Sequence, residues 1–132
     1  MSARNVKRGD VYYAFLPDRA GSSAQHGLRP VLCIQNDYVT RSSPTVIVAA
    51  ITSQIKRLDL KNHVLLPRQA GLPRESMVEA EQRFTVDLKD LHRYRCTLDD
   101  ETMKKVHRAV RFSEKGEGRT YRQRYRKGRK RK

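Results

Sequence analysis

The sequence has no tryptophan, only two cysteines, and no apolar stretch near the ~20 residues that a membrane-spanning helix needs. Without Trp, the core of a 132-residue chain must rest on Val, Ile and Leu, helped by some of its six Tyr and three Phe. That length suits one domain with a modest core. Cys33 and Cys96 are too few for a disulfide framework and lack the paired spacing of a zinc motif. Cys33 lies in an apolar run and reads as a small core residue. The opening MSARNVKRGD carries no apolar segment of the signal-peptide kind, so the cytoplasm is the expected compartment. Acidic residues are also scarce: 14 Asp and Glu stand against 29 Lys and Arg, a net charge of +15. Such an excess attracts polyanions by neutralising phosphates and releasing counterions. From Glu114 onward there are ten basic and two acidic residues, so the tail holds +8 of the +15 and the body the other +7.

The body reads as a series of short strands and one helix. Val11 to Leu16 is aromatic and β-rich and is closed by Pro17. Residues 17–28 form a polar loop containing Gly and Ser, long enough to have a function of its own. Pro30 to Ile34 is almost wholly apolar, as in a strand buried on both faces. A turn starting at Asn36-Asp37 leads to Pro44. Thr45 to Ile51 is the most apolar segment and stops at the polar Thr52-Ser53-Gln54. Short strands are expected at His63–Leu66, Ser76–Gln82 and Tyr94–Leu98, with one helical turn at Leu88–Leu91. A helix follows, capped by Thr97 or Asp99, with Met103, Val106, Ala109 and Val110 as its apolar stripe. The pattern fits a mainly β fold, a small, strongly bent barrel carrying a C-terminal helix. From about Ser113 the chain is dense in charge and expected to be disordered when free. The division is therefore a domain at 1–112 and a basic tail at 113–132.

Three segments in order carry a resemblance: Arg8-Gly9-Asp10-Val11-Tyr12-Tyr13, Gln25-His26-Gly27-Leu28-Arg29-Pro30-Val31-Leu32 leading to Asn36-Asp37, and Ser43 to Thr52. With Glu81-Gln82 and the helix from Asp99, they resemble the MazF/PemK family of type II toxins over roughly residues 6–112. The resemblance implies an SH3-like β-barrel with a C-terminal helix, of the MazF/PemK/CcdB kind, and a homodimer. It implies sequence-specific cleavage of single-stranded RNA, and an antitoxin whose acidic, flexible segment covers the RNA groove. It also places the family's catalytic positions on Arg29 and Thr52.

These residue types suit that chemistry unequally. Cleavage without metal needs the 2′-OH to attack the adjacent phosphorus, a proton acceptor, a proton donor for the leaving oxygen, and a charge stabiliser. The planar fork of Arg29 can hold two phosphate oxygens, but arginine rarely gives up its proton. Thr52 is a weak base whose hydroxyl can position a reacting group. Orientation and electrostatics are thus expected to dominate, with proton transfer partly through water. The alternative for Arg29 is a strand-start cation satisfied by a nearby carboxylate, and for Thr52 an ordinary strand-end residue.

The loop has Ala24 where many family members have an acidic residue, so any contribution from that charge is missing. His26, beside Arg29, is either a proton shuttle or a solvated loop histidine. Gln25, His26, Ser53, Gln54 and Gln82 are candidate RNA contacts, able to read base edges of a splayed strand. Tyr12, Tyr13 and Phe15 offer stacking surfaces, although at least one must enter the core. His63, His92 and His107 lie at no ligand spacing, and Glu79 and Glu81 read as a solvent face, so neither a metal site nor a cofactor is expected.

In the tail, Arg122, Arg124, Arg126 and Lys127 with interleaved Tyr121 and Tyr125 read as a sequence-independent RNA handle. The same composition leaves two other functions open: a non-catalytic RNA-binding barrel, or a toxin of this fold acting on DNA gyrase. Deleting residues 114–132 is expected to weaken RNA binding and flatten its salt dependence; an unchanged salt slope would remove the tail from the RNA interface.

Overall fold

The β-branched and aromatic segments form strands because their alternating side chains have apolar ground on both faces of one sheet. The computed structural model describes residues 5–17, 21, 26–68 and 71–115. In order they form β1 (Asp10–Leu16), β2 (Gly27–Cys33), α1 (Asp37–Arg41), β3 (Thr45–Thr52), β4 (His63–Leu65), β5 (Met77–Asp87), a 3₁₀ turn (Leu88–Asp90), β6 (His92–Thr97) and α2 (Asp100–Lys115). The sheet is six-stranded and antiparallel, in the order β4-β5-β3-β2-β1-β6. The expected barrel is therefore not closed: β4 and β6 are edges among the described residues.

One face of the sheet buries Val11, Leu32, Ala49, Ile51, Val64, Val78 and Ala80 under Met103, Val106 and Ala109 of α2. The opposite face buries Tyr12, Ala14, Leu16, Val31, Cys33, Val46, Val48 and Ala50, with Phe84, Val86, Leu88 and Leu91 packed against it. The central strands are buried on both sides, as their unbroken apolar runs require. Cys33 lies in this second cluster; burial, then Asp10 and Asp37, push its thiol up to about 12, which leaves it protonated and inert at neutral pH.

Several boundaries differ from those the sequence suggests. The turn after Asn36 is a short helix, because the Asn36 side chain accepts the Val39 N–H at 2.8 Å and caps it. β2 begins at Gly27, three residues before Pro30, and β5 runs on to Asp87. A register shift between Ala49 and Ala50 lets β5 continue: Ala50 faces Glu79 while Ala49 faces Arg83. α2 continues through Lys115, past the expected end near Ser113, where Arg83 donates to Ser113 Oγ at 2.7 Å and reaches Glu114 at 3.8 Å.

At the start of α2 it is Asp99, not Thr97, that caps: its Oδ1 accepts the Thr102 N–H at 2.8 Å. Thr97 instead donates to the buried Asp10 at 2.7 Å. Hydrogen bonds from the Thr102 side chain and backbone hold the Asp99 carboxyl below its ordinary value. A depressed folded-state value means that the stabilisation is present above the ordinary carboxylate range and lost as pH falls through it. The thermal midpoint should therefore decline on acidification below about pH 4, and Asp99→Asn, which keeps a capping oxygen, should decline less steeply. Identical acid profiles for the two proteins would show that this cap does not contribute.

Candidate active site

β2 and β3 pair with Val31 opposite Ala50, Leu32 opposite Ala49 and Cys33 opposite Val48. Carrying this register two residues further brings Arg29 opposite Thr52. Both alternate in phase with the second cluster, since Val31 and Ala50 belong to it. The two residues singled out from sequence, 23 positions apart, thus come to the same end and the same face of the sheet.

Arg29 is half-buried on β2, across from Ala14 of β1. Its Nε donates to the His26 carbonyl at 2.8 Å. That bond aligns the guanidinium plane, and among the described residues no carboxylate is paired with it. The alternative of a cation satisfied by a local acid therefore finds no support in this part of the chain. A half-buried cation without a counterion is poised to take an anion.

Thr52 ends β3 and is only 4% exposed. Its Oγ1 accepts the Gln54 N–H at 3.1 Å, closing a local turn. One of the two lone pairs of the hydroxyl is engaged in this bond, and its O–H can still donate. The turn carries Ser53 and Gln54 outward, both exposed. Gln82 is half-buried on β5, beside the register shift. His26 is exposed, and its carbonyl, not its ring, is what contacts Arg29. Gln25 and Ala24 lie outside the described residues, as do Arg122, Arg124, Arg126 and Lys127 of the tail.

The aromatic residues divide by strand phase. Tyr12 is buried, edge-on to Tyr94 at 5.6 Å. Tyr13 is half-buried, with the Arg95 guanidinium 5.7 Å from its ring. Phe15 alone of the three presents its ring to solvent, 73% exposed, opposite Leu28.

One expectation is corrected. Glu79 is buried and not on a solvent face, because Ala50 and the β4 edge cover it. His63 pairs with Glu79 across β4 and β5, and with Glu81 the three bring their ligating atoms within 4.8 Å of one another. The grouping depends on strand register, which no sequence spacing displays.

Comparison with known proteins shows what the chain is similar to. Residues 7–113 match the family described as PemK-like, MazF-like toxin of type II toxin–antitoxin system. The chain is 49% identical over 109 residues to endoribonuclease EndoA of Bacillus subtilis, covering 82% of this chain and 93% of that protein. Among solved structures, MazF of Deinococcus radiodurans superposes with a TM-score of 0.69 at 17% identity, over 81% of this chain and 94% of that one. A mycobacterial endoribonuclease in complex with its cognate antitoxin gives 0.66 at 21% identity, over 82% and 93%. At such identities these structures establish the shared fold.

The turn at the end of β3 yields a prediction. Thr52→Val removes the acceptor of the Gln54 N–H, and amide exchange at Gln54 should speed up by about five- to tenfold, the worth of one such hydrogen bond. Thr52→Ser should keep the protection. Equal exchange in all three proteins would mean that Thr52 does not hold this turn.

Proposed function

Because the chain belongs to the PemK-like, MazF-like family of type II toxins, we propose that Arg29 is the electrostatic centre of an endoribonuclease site at the β2–β3 end of its sheet. That the chain is an endoribonuclease toxin follows from the family match over residues 7–113 and from 49% identity to EndoA. That identity also favours a nuclease over a non-catalytic RNA-binding barrel or a gyrase-directed toxin. The observation that carries the site is the half-buried Arg29 guanidinium, aligned by the His26 carbonyl and without a paired carboxylate among the described residues.

In this reading the 2′-OH of a single-stranded RNA attacks the adjacent 3′-phosphorus, a 2′,3′-cyclic phosphate forms as the bond to the 5′-oxygen breaks, and that oxygen leaves with a proton delivered through water. Arg29 holds the phosphate oxygens as negative charge builds on them. The Thr52 hydroxyl, whose oxygen accepts the Gln54 N–H, donates its O–H toward the reacting group or fixes the turn beside it. Neither residue is a good base, so water carries the proton from the 2′-oxygen and the reaction needs no metal. The part of His26 in this reading is its carbonyl, which orients Arg29. Ser53 and Gln54 lie at that end and Gln82 on β5 beside the register shift, and all three suit contacts to splayed bases, as does the residue type of Gln25. The tail cations Arg122, Arg124, Arg126 and Lys127 add a handle on phosphates wherever they reach.

An acidic antitoxin suits a chain of net charge +15, and a related endoribonuclease is known with its cognate antitoxin bound. A homodimer working in the cytoplasm completes the reading. Among the described residues no helix is long and apolar enough to cross a membrane.

The test is single-turnover cleavage of single-stranded RNA in EDTA. Arg29→Ala should lose about 100- to 1000-fold in rate, as expected for a transition-state donor, and Arg29→Lys should recover only part of it. Full activity in Arg29→Lys would remove the role of the guanidinium fork, and dependence of the wild type on added metal would overturn the metal-free route.

A further inference from the structure

We propose that His63, Glu79 and Glu81 form a binding site for one divalent transition-metal ion, Zn²⁺ being the fitting probe, at the β4 edge of the sheet. This rests on side chains outside the proposed cleavage site and does not depend on that reading.

The imidazole of His63 carries the argument. Its side chain is 7% exposed, and its Nδ1 lies 3.0 Å from the Arg57 carbonyl and 3.2 Å from that of Lys56. Carbonyl oxygens only accept, so Nδ1 bears the proton. In the neutral ring Nε2 then presents a lone pair, and it faces Glu81 Oε2 at 3.5 Å. A cation seated between Nε2 and Oε2 would be held by both lone pairs. This is the arrangement of a metal-binding histidine, whose other nitrogen is tied to a backbone carbonyl to fix ring and tautomer.

The other donors fit the same ion. Glu79, 6% exposed, stands opposite His63 in the β4–β5 ladder, and its ligating oxygen lies within 4.8 Å of the donor atoms of His63 and Glu81. Asn62 donates to Glu81 Oε1 at 2.7 Å, which turns Oε2 toward the imidazole. With bonds of about 2.1 Å, the edge of a tetrahedral zinc site is about 3.4 Å. The His63–Glu81 separation is already that long, and a closure of about 1 Å by the remaining atoms completes three ligands, leaving the fourth position to water. Imidazole among the donors selects a transition metal over magnesium or calcium.

A bound ion would staple β4, a three-residue edge strand, to β5. Glu79 is two residues along β5 from Met77, the partner of Thr52, so the staple supports the strand that backs the β3 end.

The test uses the full chain, stripped with a chelator, dialysed and titrated with ZnCl₂ in a calorimeter, with a thermal melt of each sample. The wild type should take up one Zn²⁺ per chain and melt at a higher temperature with it. Glu81→Gln, at an exposed residue, should keep the fold by circular dichroism yet bind at least about tenfold more weakly, as should Asn62→Ala, which frees the Glu81 carboxylate. Cobalt(II) should give a tetrahedral visible band in the wild type that is absent from Glu81→Gln. Stoichiometric uptake lost in the variants supports the site. No uptake by the wild type, or equal affinity in Glu81→Gln, would overturn it and leave the cluster an imidazolium between two carboxylates.

Discussion

The pairing of β2 with β3 is the constraint on which the rest of the molecule depends. Val31, Leu32 and Cys33 face Ala50, Ala49 and Val48, and all six are fully buried. Because side chains alternate with a period of two, a slip of one residue would exchange the two apolar clusters and turn Arg29 to the other face. The register is thus fixed by burial on both sides at once: Leu32 and Ala49 toward α2, the other four toward the opposite cluster. The site inherits its precision from that core. It has no need of a rigid loop, since Arg29 and Thr52 are the next in-phase residues beyond a ladder that cannot shift.

From that placement the chemistry follows by elimination of stronger acids and bases. A guanidinium held by one backbone carbonyl, without a paired carboxylate among the described residues, is a charge waiting for an anion. A buried threonine whose oxygen already accepts an N–H is an orienting group and not a base. On the proposed reading, a site so composed works by positioning and by preorganised charge, and it depends on water for protons. The wider field points the same way, with net positive charge in both body and tail. At the β4 edge of the sheet, His63, Glu79 and Glu81 bring three side chains able to ligate a metal close together.

Much of this was legible in the sequence, for identifiable reasons. The apolar run of β3 and its polar stop at Thr52 mark a buried central strand and its end. The stripe Met103, Val106, Ala109 marks the buried face of α2, and the family resemblance singles out Arg29 and Thr52. What the sequence hides depends on long-range register or on one capping bond. Asn36 turns an expected loop into α1 through a single hydrogen bond to Val39. The shift between Ala49 and Ala50 lets β5 run for 11 residues, and Glu79, which simple alternation with Glu81 had placed in solvent, is buried on β5 between β3 and β4. His63 and Glu79 are 16 residues apart, and only the β4–β5 pairing makes them neighbours. Openness of the sheet is likewise a matter of which edges meet, which short alternating strands do not encode.

The account stands or falls on where RNA lies. The direct measurement is an amide chemical-shift titration of the full chain with a single-stranded RNA made uncleavable by 2′-deoxy substitution. The account predicts the largest shifts at Arg29, Ser53, Gln54 and Gln82, with the β4 corner at His63 little moved. Shifts confined to other surfaces, with the end of β2 and β3 silent, would contradict it.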